Sequence, residues 1–335
     1  MLFLIVIGAT VISFILYGYL FKPNIILLNR SVDYLYIPTG SGFEEVSDIL
    51  TTNKFLKNRS SFEWVAHRKG YENKVRPGRY RIKDGMSNNE LINLLRSGKQ
   101  TPVRVTFQNI RSREEFAGKI SRQIEADSLS LLKLLCDEDY LKQFGVDPLN
   151  SFVLLIPNTY EFYWNTSAKG FLARMAREKT KFWNKTRLEK CRISGFSVSQ
   201  VVTLASIIEK ETIKDKEKPI IAGVYINRLR KGWPLQADPT IIYAWNDYKI
   251  KRVLNYHLTI NSPYNTYLHT GLPPGPICIP SISSIDAVLN FQYNDYLYFC
   301  AKDDLSGYHV FASSLPEHNR NAKKYQAALK KLDIH

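Results

Sequence analysis

The stretch LASIIEKETIKDKEKPIIAGVYINRLRKG, residues 204–232, joins two helical patterns and carries an unusual pair of carboxylates. It begins as an apolar helix face and then places Glu209 and Glu211 two positions apart, next to Ile207 and Ile208. Carboxylates rarely follow isoleucines on a helix without a reason, since a charged group loses free energy when apolar neighbours exclude water. One of the two glutamates is therefore a candidate catalytic acid, and a pair of solvated helix charges is the alternative.

Helix geometry separates the two glutamates. At 3.6 residues per turn, side chains two positions apart differ by about 200° in direction. Glu209 and Glu211 therefore cannot face one cleft, which excludes a glycosidase that uses both as a carboxylate pair. Each lies on a flank of the apolar arc, where burial would raise the pKa of the carboxyl and keep it protonated, as a general acid requires. Periodicity alone does not choose between them.

The composition describes a folded, basic protein. The chain has 335 residues, of which 44% are hydrophobic and 13% aromatic, so it can bury a core in one large domain or in two or three small ones. Its formal net charge is +15. Such a surface attracts nucleic acid, acidic lipid or another anionic polymer, and the charge does not distinguish among them.

The N-terminus predicts a single membrane span. Residues 2–21 contain no charged side chain, and 20 helical residues are about 30 Å long, the thickness of the hydrocarbon core. A cleaved signal peptide would need a basic start, a shorter apolar run and a cleavage site of small residues, and these are absent. Lys22 and Arg30 follow the span, which mildly favours a cytoplasmic C-terminal side, but long domains cross membranes largely regardless of such charges.

The soluble part predicts an α+β fold in two regions. Residues 34–107 predict the order β-α-α-β-α-β, with Ser/Glu capping boxes that start the three helices. Mostly helical patterns follow from about residue 112 to residue 190. The last 140 residues contain the proline-rich segment SPYNTYLHTGLPPGPICIP, residues 262–280, which predicts a rigid loop with hydroxyl, amide and aromatic groups suited to sugars. An ordinary packed surface loop is the alternative.

The sequence lacks the motifs of several other kinds of site. The four cysteines have no CxxC spacing and the six histidines no ligand spacing, so we expect four buried free thiols and no metal site. Phosphate-binding, dinucleotide-binding and serine-hydrolase motifs are missing as well.

A set of ordered motifs resembles the endolytic murein transglycosylase family. The similarity covers nearly all of the chain, including the N-terminal span, and rests on segments found in this order: PNTYEFYW, LASIIEKET, GVYINRL, LQADPTIIY, YNTY, GLPPGPICIP and YHVFASSLPEHN. It implies a transmembrane anchor at residues 1–22, a small LysM-like α+β module at 34–107 and a larger mixed α+β catalytic domain at 108–335. Two departures are Gln108-Asn109, where the family often has Glu-Gly, and Asn158, where Asp is common.

The resemblance also implies the chemistry. Such enzymes cleave the β-1,4 bond between N-acetylmuramic acid (MurNAc) and N-acetylglucosamine (GlcNAc) without water and leave a 1,6-anhydro end, which requires one carboxyl as acid and base. It assigns this role to Glu209 and gives Glu211 a supporting role. It implies no cofactor and no metal. The residues expected to line the cleft are Gln236, Asp238, Thr240, Tyr264, Asn265, Thr266 and Tyr267.

The implied partners are peptidoglycan glycan strands, the cytoplasmic membrane and, as further candidates, proteins of cell wall synthesis. The large domain would then lie outside the cytoplasm. An inactive peptidoglycan-binding scaffold at the membrane is the main alternative, although it would not need the intact LASIIEKET segment. A nucleic-acid-binding protein is a second alternative, and the N-terminal span argues against it.

Overall fold

The computed structural model describes residues 2–28 and 30–331, and it confirms the predicted mixed α+β class. Within these residues the secondary structure consists of fourteen α-helices, six short strands and two 3-10 helices, Ser151–Leu154 and Asn255–Thr259. The helices are α1 Leu2–Phe21, α2 Phe43–Thr52, α3 Arg59–Arg68, α4 Asn88–Ser97, α5 Arg113–Ser121, α6 Ser128–Cys136, α7 Glu138–Lys142, α8 Ala168–Phe182, α9 Lys185–Ser194, α10 Val198–Glu211, α11 Lys218–Arg230, α12 Asp238–Trp245, α13 Ile282–Leu289 and α14 Leu315–Lys331. The strands are β1 Val32–Ile37, β2 Gly78–Lys83, β3 Val103–Phe107, β4 Asn158–Phe162, β5 Tyr298–Ala301 and β6 His309–Ala312.

Helix α1 is the uncharged N-terminal run. Its residues Phe3–Phe21 are long and apolar enough to cross a membrane, and none of this segment is buried inside the protein. Helices α9 and α10 together are also long and apolar enough to cross a membrane, but their axes meet at 83°. Residues 201–208 of α10 are all buried in the protein, which identifies α10 as a core helix.

The first compact unit comprises residues 2–105, except residue 29, together with 120–127 and 160–167. Strands β1 and β2 pair antiparallel, from Val32 opposite Lys83 to Ile37 opposite Gly78. Their apolar faces and those of α2, α3 and α4 enclose a core that includes Leu35, Phe62 and Leu91. The elements between residues 32 and 107 follow the order β1-α2-α3-β2-α4-β3, so the predicted order is confirmed.

Only one of the three predicted capping boxes in this region forms. Ser87 caps α4 and exchanges hydrogen bonds with Glu90, as predicted. The prediction for α2 is wrong, since Gly42 occupies the N-cap and no side chain caps that helix. The prediction of Ser60 as the N-cap of α3 is also wrong, because the side chain of Asn58 accepts the hydrogen bond from the Ser61 N–H at 2.8 Å and the helix starts two residues earlier.

The second compact unit comprises residues 106–119, 128–159 and 168 onward, described to residue 331. Helix α10 lies in its core and packs against α11 and α13. Strands β5 and β6 form an antiparallel hairpin against which α14 packs. Residues 262–280 contain neither helix nor strand, as their proline content predicts. The four cysteines are free thiols, but the prediction that all four are buried is wrong: Cys191 and Cys278 are buried, Cys300 is half-buried and Cys136 is exposed.

Candidate active site

The two glutamates lie at the C-terminal end of α10 and have separate sets of partners. The helix starts at a capping box between Ser197 and Gln200 and ends where Thr212 takes an extended conformation. Glu209 faces the N-terminal end of α13, and Glu211 faces Tyr225 on α11. The divergence expected from helix geometry is thus present.

Glu209 is held in an ionised form by its neighbours. Its side chain is 16% exposed, and one of its oxygens accepts hydrogen bonds from the hydroxyls of Ser281 and Ser284, both at 2.5 Å. The Lys218 ammonium lies 3.4 Å from the same oxygen. Burial by itself raises the pKa of Glu209, but the two serine hydrogen bonds and the charge of Lys218 outweigh it, so that the pKa is lowered.

Lys218 completes a closed cluster around Glu209. Its side chain is only 6% exposed, and its ammonium also contacts Asp215 at 2.8 Å and the Ser283 hydroxyl at 3.0 Å. A buried ammonium is stable only when it is paired and hydrogen-bonded, and this one is. The arrangement fixes the position of the Glu209 carboxyl.

Glu211 has the opposite electrostatic environment. Surrounding protein raises the pKa of its carboxyl to about 7, and the negative charge of Asp238 adds to the increase. A hydrogen bond from the Tyr225 hydroxyl at 2.6 Å and the positive charge of Arg228 oppose it only in part. A carboxyl with a pKa near 7 can both donate and accept a proton near neutral pH, which is the property of a general acid and base.

The groups around Glu211 are fixed by hydrogen bonds of their own. Asp238 begins α12 and accepts a hydrogen bond from the Tyr267 hydroxyl at 2.5 Å. The Arg228 guanidinium is mostly buried and donates to the carbonyls of Leu235 and Leu297, each at 2.7 Å. Neither charge can easily turn away, so the field at Glu211 is set before any ligand arrives.

Glu211 and Asp238 line a cavity of about 880 Å³ in the second unit. The other walls come from the start of α12, residues 251–253, β5 and the C-terminal part of α14. This volume lies in the range of ligand-binding clefts and is open to solvent. Glu209 is not among the residues that line it. The cavity therefore offers a ligand one titratable carboxyl with a raised pKa.

The other predicted cleft residues divide into two groups. Thr240, Asn265 and Thr266 are buried and bonded internally: the two threonine hydroxyls lie 2.8 Å apart, and the Asn265 amide donates to the Leu258 and Ile260 carbonyls. These hydrogen bonds hold the loop in place, and the three side chains are not exposed at its surface. Tyr264 is also mostly buried and lines a separate cavity of about 260 Å³.

Gln236 and Asp238 are exposed, and Tyr267 is half-buried beside Asp238. Gln236 has a positive φ of 49°, an uncommon conformation for a residue other than glycine. Its backbone N–H donates to the Thr266 carbonyl at 2.9 Å. These three remain the predicted residues best placed to reach a ligand.

Sequence reasoning missed the residues that set the pKa of Glu211. Tyr225 and Arg228 belong to the quoted segment GVYINRL but were given no role, because their contact with Glu211 depends on how α11 packs against α10. Asn109, which stands where the family often has glycine, has a φ of 54°, and its side chain accepts a hydrogen bond from Lys210. Among the described residues, no group of three or more His, Cys, Asp or Glu is placed to hold a metal ion.

The second unit thus combines a mixed α+β fold with one raised-pKa glutamate in the wall of an open cavity, an arrangement found in enzymes, and comparisons with known proteins specify the family. The family model described as YceG-like matches residues 35–324. The chain belongs to the YceG-like family.

Three known proteins illustrate the relationship. An endolytic murein transglycosylase of Bacillus subtilis (strain 168) is 33% identical over 307 residues, which is 86% of this chain and 83% of that protein. One from Streptococcus pneumoniae serotype 2 (strain D39) is 26% identical over 86% of this chain but only 57% of its own length. A crystal structure of a YceG-like protein from Listeria monocytogenes is 29% identical, with a TM-score of 0.58, and covers 87% of this chain and 98% of that one.

Proposed function

We propose that this protein is a membrane-anchored lytic transglycosylase that cleaves the β-1,4 bond between MurNAc and GlcNAc within peptidoglycan strands. The names of its relatives in Bacillus and Streptococcus support the substrate class. The observation that carries the proposal is the single carboxyl with a pKa of about 7, Glu211, in the wall of a large open cavity. The mechanism needs one such carboxyl and no second one.

In the proposed reaction, Glu211 acts twice. Its protonated carboxyl donates the proton to the glycosidic oxygen as the bond to C1 of MurNAc breaks. The C6 hydroxyl of the same MurNAc then attacks C1, and the Glu211 carboxylate takes the hydroxyl proton. The products are a strand that ends in 1,6-anhydroMurNAc and a strand with a free 4-hydroxyl on GlcNAc. The carboxyl returns to its starting form, and no water is consumed.

This proposal prefers Glu211 because it lines the cavity and its pKa is raised, whereas the sequence motif assigns the role to Glu209. A general acid must hold its proton at working pH, and the neighbours of Glu209 lower its pKa. Glu209 also has its oxygen committed to two serines and a buried lysine. We propose that Glu209 supports the end of α10 on which Glu211 stands.

The remaining groups of the cavity have proposed roles as well. Asp238 raises the pKa of Glu211, and Tyr225 orients its carboxyl. Gln236 and Tyr267 are proposed to contact the sugars, through an amide and an aromatic face. The first unit is proposed to be a LysM-like module that holds the same strand, and proteins of cell wall synthesis are proposed partners.

We propose that α1 anchors the protein in the cytoplasmic membrane as a single span, with residues 22–335 outside the cytoplasm. The end of α1 supports an anchor that is retained: the Asn88 amide donates to the Tyr19 carbonyl at 2.9 Å, and the Tyr19 ring packs against Trp64. Asn24, just beyond the helix, is buried and donates to the Asn88 side chain at 2.7 Å. Removal of α1 as a signal sequence would break the two contacts made by Tyr19.

Protease added to intact spheroplasts tests this topology. The large domain should be digested without lysis, and a domain that is cut only after lysis would contradict it.

The activity is tested by incubating the full-length chain, in detergent micelles, with purified sacculi and identifying the products by mass. We expect muropeptides with 1,6-anhydro ends. Products with reducing ends would identify a hydrolase, and the absence of cleavage together with retained binding would favour an inactive scaffold.

A further inference from the structure

The cavity that contains Glu211 has a strongly basic wall. Four of its lining residues are cationic, Lys210, Lys251, Arg252 and Lys330, whereas only Glu211 and Asp238 are acidic. The cations come from three separate parts of the second unit: the end of α10, the segment after α12, and α14. They therefore surround the cavity instead of following one helix face.

Most of these cations are available to a ligand. Lys251, Arg252 and Lys330 are exposed, and none of them forms an ion pair with a carboxylate in residues 2–28 and 30–331. Elsewhere in this unit, exposed cations such as Arg192 and Lys302 do have carboxylate partners. Lys210 contacts an amide oxygen, that of Asn109, which leaves its charge uncompensated.

This charge does not match the sugar part of the proposed substrate. Its N-acetylated sugars carry no charge, because the lactyl carboxyl of each MurNAc is joined to a peptide. The carboxylates of a peptidoglycan strand lie on the short peptides that project from the muramic acid lactyl groups. A cavity rich in unpaired cations attracts such groups and raises their local concentration.

We propose that Lys251, Arg252 and Lys330 bind the carboxylates of the stem peptides, so that the enzyme selects strands whose peptides carry free carboxylates. This inference rests on the proposed function. The peptide carboxylates are held by the basic wall while the sugar chain lies over Glu211. Lys251 and Arg252 determine specificity and take no part in bond cleavage.

A matched pair of substrates tests the proposal. Soluble peptide-bearing strands are prepared from sacculi with an endopeptidase, and half of them are treated with carbodiimide and ammonia, which converts their carboxyls to amides. The two preparations then have nearly the same size and differ in charge. The measured quantity is the ratio of kcat/KM for carboxylate strands to kcat/KM for amidated strands, with the full-length chain.

The wild-type ratio should exceed 1, and the Lys251→Gln/Arg252→Gln variant should reduce it about 3- to 10-fold, mainly through KM, as expected for two exposed charge pairs. Higher salt should also reduce the wild-type ratio, because it screens the charge pairs. The control Lys323→Gln/Lys324→Gln removes two exposed charges from α14 outside the cavity wall and should leave the ratio unchanged.

Two results would overturn the proposal: equal cleavage of both substrates by the wild type, or an equal loss of preference in the control variant. Equal cleavage that still yields 1,6-anhydro ends would leave the proposed function intact. Failure to cleave either substrate would instead contradict the proposed function itself.

Discussion

Glu209 and Glu211 lie on opposite sides of one turn of α10 and have different surroundings. Glu209 and Glu211 are separated by one lysine on α10, yet the pKa of the first is lowered and that of the second is raised to about 7. Glu209 accepts hydrogen bonds from serines and lies beside a buried ammonium, whereas Glu211 lies among protein atoms with a second carboxylate nearby. The neighbours that other helices bring, more than the local sequence, therefore set the pKa of each carboxyl.

The largest expected effect separates the two glutamates by activity. Glu211→Gln keeps the size of the side chain and removes its proton, so it should reduce release of anhydromuropeptides from sacculi by about 10²–10⁴-fold. Glu209→Gln should retain cleavage at a temperature where the variant is folded. If the effects are reversed, with Glu209→Gln inactive in a folded protein, the assignment from the motif is right and the one from the geometry is not.

The cluster around Glu209 should matter for stability. Lys218→Met removes the buried cation and leaves the Glu209 carboxylate without its charge partner, which should lower the free energy of unfolding by about 3 kcal/mol. Urea unfolding followed by circular dichroism measures the loss. Lys216→Met changes an exposed lysine of the same segment and should cost far less. Equal losses in the two variants would mean that Lys218 does not stabilise the fold through Glu209.

Glu211 should make stability depend on pH. Because its folded-state pKa of about 7 lies above the ordinary value of 4.5, its contribution is fully present below pH 4.5 and is lost as the pH rises through 7. A rise in the pKa of Glu211 from 4.5 to about 7 corresponds to a change of about 3 kcal/mol in the free energy of unfolding. In unfolding experiments at pH 4.5 to 8, Glu211→Gln should remove this decline. An unchanged decline in the variant would assign it to another group.

The neighbours of Glu211 should shift the pH dependence of cleavage in opposite directions. The protonated form is the acid, so wild-type kcat/KM should fall above about pH 7. Tyr225→Phe removes a hydrogen bond that favours the ionised form, so the fall should move to higher pH. Asp238→Asn removes a negative charge and should move it to lower pH. Shifts in one common direction would show that these two residues do not act through the charge of Glu211.

Local features of the chain were predictable from the sequence. The apolar helix at residues 2–21, the order β-α-α-β-α-β and the irregular proline-rich segment follow from patterns that extend over a few residues, and the structure has all three. The divergence of Glu209 and Glu211 is a property of one helix and was predictable for the same reason. The α3 cap prediction failed because Asn58, two residues before Ser60, takes the N-cap position, and the α2 prediction failed because Gly42 occupies its N-cap.

The pKa shifts of the two carboxyls were not predictable in this way. The groups that lower the pKa of Glu209 include Ser281 and Ser284, more than 70 positions away in the chain. Those that set the pKa of Glu211 lie on α11 and at the start of α12. The burial of Thr240, Asn265 and Thr266 likewise depends on tertiary packing, which the sequence does not show.

The most direct test of this account is a carbon-13 NMR titration of the glutamate carboxyls, with the Glu209→Gln and Glu211→Gln variants used to assign the two signals. The account predicts that the signal lost in Glu211→Gln titrates near pH 7, and that the signal lost in Glu209→Gln titrates below 4.5. A Glu209 signal that titrates near pH 7, or a Glu211 signal that titrates at or below 4.5, would contradict it.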